Sequence, residues 1–128
     1  VELFVSQGRL LINEIATRPH NSGHFSIEGC ITSQFENHLR AVLDWPLGAT
    51  DLRAPAVATV NLPGREETRN LVAGLRAALA LPDVHVHLYG KAPRPGRKLG
   101  HVTALGQDPA ETRERARQAA ALVLGTAA

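Results

Sequence analysis

The chain has 128 residues, of which 44% are hydrophobic and 20% are charged, and its formal net charge is +2. This composition is typical of a folded globular domain and excludes a wholly disordered chain. No apolar run reaches the ~18–20 residues that a membrane span needs. The single cysteine excludes an internal disulfide framework, and no signal peptide is visible, so we expect a cytoplasmic location.

The basic residues cluster in one segment, which we call the basic loop (residues 91–98). It holds four of the fourteen Lys and Arg residues. Pro93, Pro95 and Gly96 restrict its backbone, so a sugar phosphate is a suitable ligand, although a solvated turn is the alternative. The low overall charge and the presence of Tyr89 as the only nearby aromatic predict no nucleic-acid partner.

The first two predicted elements form a β-hairpin. Two apolar, β-branched runs, 1–5 and 10–16, flank a turn signal. A two-residue turn ending at Gly8 would place Glu2 and Glu14 on opposite faces, because strand side chains alternate. A three-residue loop ending at Gly8 leaves them on one face as diagonal neighbours. We predict the three-residue loop.

The remaining pattern predicts three helices and three further strands. After a loop over 17–31, a capping box at Ser33 and Glu36 begins a helix that Pro46 and Gly48 end. Strands are predicted over 56–62, 84–89 and 99–105. The helix after the first of these strands has Glu66 and Glu67 in its first turn and is predicted to face the core with Leu71, Val72, Leu75 and Leu79. A final helix is predicted to begin at Asp108.

Two acidic side chains are candidate metal ligands. Carboxylates on one face of adjacent strands repel each other unless a positive charge lies between them. Mg²⁺ typically takes one or two carboxylates together with substrate phosphates, so Glu2 and Glu14 would suit it. The alternative is that one of these glutamates simply faces solvent.

The segment 18–24 concentrates functional groups directly after the second strand. Arg18 supplies a fork that fits carboxylate, bicarbonate or phosphate oxygens. His20 can donate, accept or shuttle a proton near neutral pH, and Asn21 and Ser22 add an amide and a hydroxyl. The alternative is a polar loop whose side chains cap their own backbone.

Other patterns give weaker indications. His85, His87 and His101 resemble part of a zinc site, but no acidic or thiol fourth ligand is evident. Cys30 has no local partner and is expected to be a buried, small apolar residue. The sequence contains no phosphate-binding glycine loop of the Walker or dinucleotide type, and Ser22 lacks the setting of a hydrolase nucleophile.

The chain resembles the C-terminal part of the N5-carboxyaminoimidazole ribonucleotide synthetase family, ATP-grasp enzymes of purine synthesis. The resemblance depends on seven segments together: VELFV (1–5), LINEIA (11–16), RPHNSGH (18–24), TSQFE (32–36), HLRAV (38–42), HLYGK (87–91) and RPGRKLGH (94–101). It implies an α/β architecture: the C-terminal part of an ATP-grasp domain over 1–45, a linker over 46–55, and a small mixed sheet and helix domain over 56–128.

The resemblance also implies a reaction and roles for the residues. ATP and bicarbonate would give carboxyphosphate, which carboxylates 5-aminoimidazole ribonucleotide to N5-carboxyaminoimidazole ribonucleotide. By this resemblance, Mg²⁺ is held by Glu2 and Glu14, and ATP is bound by Asn13 and Glu14. Arg18 and His20 are catalytic by the same resemblance, and bicarbonate or the ribonucleotide is bound by Arg18, His20, Asn21 and Ser22. The 5′-phosphate of the ribonucleotide is bound by Lys91, Arg97 and Lys98.

Further expectations concern partners and completeness. The resemblance implies a homodimer, and the mutase that consumes N5-carboxyaminoimidazole ribonucleotide as a pathway neighbour. It also implies that the lysine-bearing part of the nucleotide site is not in this sequence, so we expect this chain alone to be inactive. Two alternatives stay open: another ATP-grasp carboxylase or ligase, sharing Glu2 and Glu14 but not the loop 94–101, and a non-enzymatic phosphate-binding module.

Overall fold

The computed structural model describes residues 1–66 and 70–126, and its mixed helix and sheet content confirms the predicted α/β class. The chain divides into two compact units, 1–51 and 52–128. This division falls within the predicted linker; the domain limits 1–45 and 56–128 stay a prediction. Among the described residues, no helix combines the length and apolar character needed to cross a membrane.

The elements of the first unit are β1 (Glu2–Ser6), β2 (Arg9–Glu14), a 3-10 turn (Asn21–Gly23), α1 (Ser26–Gly29) and α2 (Gln34–Val42). Those of the second are β3 (Ala56–Pro63), α3 (Val72–Ala78), β4 (Val84–Leu88), β5 (Lys98–Gly106) and α4 (Pro109–Leu124).

The β1–β2 hairpin has a shorter turn than predicted. Ser6 is opposite Arg9, so the turn contains two residues, and the predicted three-residue loop is wrong. Gln7 and Gly8 have φ angles of 49° and 74°. Two positive φ angles give a turn whose twist matches the right-handed twist of the strands, which favours this connection.

A β-bulge keeps Glu2 and Glu14 on one face despite the shorter turn. Leu3 is paired with Ile12 whereas Glu2 is paired with Glu14, so Asn13 is an extra residue in β2. The extra residue offsets the alternation by one position. The predicted shared face is therefore confirmed, but the two glutamates are directly opposite each other rather than diagonal.

Helix α2 begins at the predicted cap and ends earlier than predicted. The hydroxyl of Ser33 accepts a hydrogen bond from the backbone N–H of Glu36 at 3.1 Å. The helix stops at Val42, before Pro46 and Gly48, because Asp44 has a φ of 56° and cannot continue a right-handed helix. Its apolar side chains are exposed in this chain: Phe35, Leu39, Val42 and Leu43.

The second unit is a three-stranded antiparallel sheet, in the order β3-β5-β4, with packed helices. Its core combines aliphatic strand side chains with alanines and a valine of the helices: Leu62, Val84, Val102 and Ala104 with Ala78, Ala116, Ala119, Ala120 and Val123. A Cβ at Gly74 would collide with the backbone of Leu122, so this glycine lets α3 approach α4 closely.

The two helices of this unit differ in how well the sequence predicted them. Asp108 accepts hydrogen bonds from the backbone N–H groups of Ala110 and Glu111, as predicted for the start of α4. Helix α3 begins only at Val72, and Glu66 lies in a turn before it. Glu67 lies outside the described residues. Val72 and Leu79 are exposed, so their predicted place in the core is wrong, whereas Leu71 packs against it.

Candidate functional site

A polar cavity of about 220 Å³ lies at the end of the hairpin away from its turn. Strands β1 and β2 contribute the carboxylates, and the segment after β2 contributes a cation, an imidazole and a hydroxyl. The structure thus brings together the predicted carboxylate pair and the segment 18–24. The polar lining consists of Glu2, Glu14, Arg18, His20, Ser22 and Gln34.

The imidazole of His20 lies between the two carboxylates. Its Nε2 is 2.7 Å from Oε1 of Glu14, and its Nδ1 is 3.8 Å from Oε2 of Glu2. One ligand atom of each residue lies within 4.8 Å of the others. We call these three residues the carboxylate–imidazole cluster. Asn13, the bulge residue, donates a hydrogen bond from its amide to the carboxylate of Glu2.

Contacts with Ser22 define the orientation of the His20 ring. The backbone N–H of Ser22 donates to Nδ1 at 3.4 Å, and the Ser22 hydroxyl lies 2.9 Å from the same nitrogen. Because an N–H can only donate, Nδ1 is the acceptor, and Nε2 carries the hydrogen that faces Glu14.

Gln34, which the sequence did not indicate as a site residue, forms hydrogen bonds with both the backbone N–H and the backbone carbonyl of His20. Its Oε1 accepts from the His20 N–H at 2.9 Å, and its Nε2 donates to the His20 carbonyl at 2.7 Å. The same Nε2 is 2.8 Å from Nδ1 of His24. A Cβ at Gly23 would collide with the Gln34 side chain, so that glycine makes room for it.

The other predicted residues of this unit lie at or near the cavity. Arg18 lines it and donates from Nη1 to the carbonyl of Pro19 at 3.1 Å; it forms no ion pair within the described part of the chain. Asn13 and Asn21 do not line the cavity. Oδ1 of Asn21 is buried and has no hydrogen-bond partner among the residues that the structure describes.

The donor set of the carboxylate–imidazole cluster fits a divalent cation. Two converging carboxylates supply the hard oxygen ligands that Mg²⁺ prefers. The imidazole of His20 is a softer nitrogen ligand and better suited to transition metals. The glutamates are therefore the residues that fit Mg²⁺, with His20 as their hydrogen-bonding neighbour.

The basic loop lies in the second unit and is anchored to Gly64. The Gly64 N–H donates to the carbonyl of Arg97 at 2.7 Å, and the Gly96 N–H donates to the carbonyl of Gly64 at 2.9 Å. Arg97 also donates from Nη1 to the carbonyl of Ala92 at 3.4 Å. Lys98 is the first residue of β5. The loop thus holds three predicted phosphate ligands, Lys91, Arg97 and Lys98, on a restrained backbone.

The histidines of the second unit do not form a metal cluster. Among residues 1–66 and 70–126, the only group of three potential ligands is Glu2, Glu14 and His20. The rings of His87 and His101 instead stack, with centroids 4.5 Å apart. Cys30 is buried, as predicted.

Sequence comparisons relate the two ends of the chain to two domain families. The ATP-grasp domain matches residues 1–35, and the phosphoribosylaminoimidazole carboxylase C-terminal domain matches residues 58–115. The N5-carboxyaminoimidazole ribonucleotide synthase of Mycobacterium tuberculosis H37Rv is 52% identical over 124 residues, which are 94% of this chain and 29% of the relative. The chain thus spans about three tenths of the length of this relative.

Solved structures give the same relationship. A crystal structure of N5-carboxyaminoimidazole ribonucleotide synthetase from Thermotoga maritima matches this chain with a TM-score of 0.82 and 46% sequence identity. The match covers 91% of this chain and 33% of the Thermotoga maritima chain. The synthase from Aspergillus clavatus, in complex with ADP and 5-aminoimidazole ribonucleotide, matches with a TM-score of 0.82 and 37% sequence identity. This match covers 94% of this chain and 33% of the Aspergillus clavatus chain.

Proposed function

Because the chain belongs to the N5-carboxyaminoimidazole ribonucleotide synthase family, we propose that it supplies the metal- and substrate-binding part of an ATP-dependent carbon–nitrogen ligase. In this reaction of purine synthesis, ATP and bicarbonate form carboxyphosphate. The carboxyl group passes to the exocyclic amine of 5-aminoimidazole ribonucleotide, and ADP and phosphate leave. The convergence of Glu2, Glu14 and His20 in one cavity with Arg18 supports the proposal most directly.

The two glutamates hold Mg²⁺ in this proposal. When bound there, the ion would supply positive charge against the ATP phosphates. Asn13 and Glu14 contact the nucleotide, and the hydrogen bond from Asn13 orients the Glu2 carboxylate. A carboxylate that is already oriented loses less side-chain entropy when it binds the metal ion than a freely rotating one does.

Arg18 and His20 act on the carboxyl donor. The exposed guanidinium of Arg18 has N–H groups available to pair with bicarbonate or carboxyphosphate oxygens. His20, fixed by Glu14, Ser22 and the backbone contacts with Gln34, lines the same cavity. Catalysis arises mainly from positioning and from charge neutralisation. Ser22, which lines the cavity, and its neighbour Asn21 complete the substrate site in this proposal.

The basic loop binds the 5′-phosphate of 5-aminoimidazole ribonucleotide. Lys91, Arg97 and Lys98 supply three positive charges on eight consecutive positions. The two backbone hydrogen bonds to Gly64 restrain the loop before any ligand is bound. Restraint of this kind lowers the entropy that binding costs.

A chimaeric enzyme tests the proposal. This chain replaces the matching segment of the Thermotoga maritima synthetase, and ADP release is followed with ATP and bicarbonate, with and without 5-aminoimidazole ribonucleotide. We expect release that depends on the ribonucleotide and falls by about 10²–10³-fold in Glu2→Gln and Glu14→Gln. Glu36→Gln is the matched control, since Glu36 is an exposed carboxylate paired with Arg40.

The alternatives predict different results with the same chimaera. ADP release that does not depend on the ribonucleotide indicates another ATP-grasp ligase. No ADP release by a folded chimaera that binds phosphate indicates a non-enzymatic module. The chain alone is expected to have no synthetase activity, because it spans 29% of the length of a relative; measurable carboxylation by it would contradict this.

The proposal includes a cytoplasmic enzyme that forms a homodimer and passes its product to a mutase. These points depend on family membership, and the single, buried Cys30 agrees with a reducing compartment. Light scattering of the chimaera measures the oligomeric state directly, and a monomeric mass at assay concentration would contradict the dimer.

A further inference from the structure

A buried histidine anchors the side chain that precedes the basic loop. Nδ1 of His101 lies 2.7 Å from the hydroxyl oxygen of Tyr89. His101 is 1% exposed and belongs to the central strand β5, where it is opposite both Asn61 of β3 and His87 of β4. Its ring also stacks on His87, with 17° between the planes. The imidazole is therefore a fixed hydrogen-bond partner for the tyrosine.

The ring of Tyr89 in turn contacts Lys91. Nζ of Lys91 lies 5.3 Å from the ring centroid, within the range of a cation–π interaction. The backbone N–H of Tyr89 donates to the carbonyl of Leu99 at 2.9 Å, which ties the residue to β5. Gly90, between Tyr89 and Lys91, has a φ of 65°, a left-handed conformation that reverses the chain and that glycine adopts readily.

We propose that Tyr89 and His101 are positioning residues that hold the Lys91 ammonium in place for an anion of the phosphomonoester class. The inference rests on the proposed function, in which Lys91 belongs to the phosphate site. An exposed lysine otherwise samples many rotamers, and holding it in advance lowers the entropy lost on binding. The hydroxyl bond to His101 fixes the plane of the ring, and the ring face holds the cation.

Burial agrees with this arrangement, since it raises the pKa of the Tyr89 hydroxyl above its usual value. Tyr89 therefore stays protonated at neutral pH, with a hydrogen available for the contact with His101.

Three variants of the full chain separate the parts of this arrangement. Tyr89→Phe keeps the ring and removes the hydroxyl, Tyr89→Leu removes the ring, and His101→Gln removes the anchoring imidazole. His85→Gln is the matched control, since His85 is an exposed histidine of the same sheet. Tyr89→Phe changes least, so it keeps the test valid if the buried His101 variant fails to fold.

The first measurement is the NMR shift of the Lys91 Hε protons without ligand. We expect a ring-current displacement in the wild type that Tyr89→Leu abolishes and Tyr89→Phe and His101→Gln reduce, with no change in His85→Gln. The second is the dissociation constant for inorganic phosphate, followed through amide shifts of the basic loop. It should rise about two- to fivefold in Tyr89→Leu, and this effect should vanish when Lys91 is also changed to Ala.

Each other result overturns the inference in a recognisable way. An unaltered Lys91 shift in Tyr89→Phe and His101→Gln refutes positioning by the hydroxyl and imidazole. A lost shift with unchanged phosphate affinity, or an affinity loss that persists in Lys91→Ala, refutes the link from this arrangement to the anion. A wild-type chain that binds no phosphate in the basic loop refutes the proposed phosphate site itself, and the inference with it.

Discussion

The imidazole of His20 lies 2.7 Å from the carboxylate of Glu14, at the point where the hairpin faces the polar cavity. This contact joins a residue from the loop after β2 to the strand that precedes that loop. Because Glu2 is also within 3.8 Å, a metal ion bound by the glutamates must lie close to this ring. His20 is therefore a natural reporter of metal binding.

The first prediction uses Mn²⁺ as a paramagnetic substitute for Mg²⁺. Titration of the chain with Mn²⁺ should broaden the ring resonances of His20 before those of the other five histidines, and excess Mg²⁺ should reverse the effect. Glu2→Gln and Glu14→Gln should each weaken Mn²⁺ binding at least about tenfold, because each removes a charged oxygen ligand.

The control for this experiment is Glu36→Gln, which changes an exposed carboxylate outside the cavity. It should leave the Mn²⁺ affinity unchanged. Broadening that begins at His85 or His87, or that is insensitive to the two glutamate variants, would show that the cluster does not bind the ion.

The second prediction concerns Gln34, whose amide makes two hydrogen bonds to the backbone of His20. Gln34→Met keeps the length of the side chain and removes both, so the loop carrying His20 should lose its fixed position. We expect the Mn²⁺ affinity to fall about tenfold, as for other residues that orient a metal site, while the helical circular dichroism is retained.

Gln118→Met is the matched control, since Gln118 lies exposed on α4. It makes the same chemical change away from the cavity and should not alter the Mn²⁺ affinity. Equal affinities of the two methionine variants would mean that Gln34 has only a structural role.

The sequence predicted elements best where a local capping signal exists. Asp108 and Ser33 begin α4 and α2 as expected, because an N-cap is decided by residues within one turn. The end of α2 was missed because Asp44 adopts a left-handed conformation that no nearby glycine indicates. The start of α3 was placed too early, since acidic residues favour a first turn but do not fix it.

The hairpin shows how two unpredicted features can offset each other. The turn is one residue shorter than predicted, and the bulge at Asn13 adds one residue to β2. Each alone would move Glu14 to the other face, and together they leave it opposite Glu2. Asn13 lacks the glycine signature of some bulges, so the pattern gave no reason to expect one.

The candidate site was predicted where its members are close in sequence. Glu14, Arg18, His20 and Ser22 lie within nine positions, and a short loop after a strand brings them together. Gln34 was missed because its bonds to His20 join residues fourteen positions apart and involve backbone atoms. In the sequence, Gln34 is simply part of a capped helix start.

The third prediction concerns the anchoring of the basic loop. A Cβ at Gly64 would collide with the carbonyl oxygen of Arg94, so Gly64→Ala must displace the loop backbone. The amide hydrogen of Gly96 is hydrogen-bonded to the carbonyl of Gly64. It should then exchange with solvent at least about tenfold faster. Hydrogen exchange followed by NMR measures this, and phosphate affinity should fall in parallel.

Gly125→Ala is the comparison for this variant. Gly125 has a φ of 67° and open space around a would-be Cβ, so its substitution strains the end of α4 without touching the loop. Exchange at Gly96 should be unaffected. If Gly64→Ala left that exchange rate unchanged as well, the proposed anchoring would be wrong.

The fourth prediction concerns the pH dependence of the single tyrosine. Burial raises the pKa of Tyr89, so absorbance at 295 nm should titrate with a midpoint above the value of about 10 expected for the chain in concentrated urea. The folded state then holds its proton where the unfolded state has lost it. The free energy of unfolding should therefore fall as the pH rises through and above the unfolded pKa.

Tyr89→Phe isolates this contribution from that of the lysines, which titrate in the same range. The variant should lose less of its unfolding free energy than the wild type between about pH 9 and pH 11. Since burial is the cause of the raised pKa, a folded midpoint at or below that of the denatured chain would contradict the buried, hydrogen-bonded position of the Tyr89 hydroxyl. The hydrogen bond to His101 would then not persist in solution, and Lys91 would lose the fixed ring that it contacts.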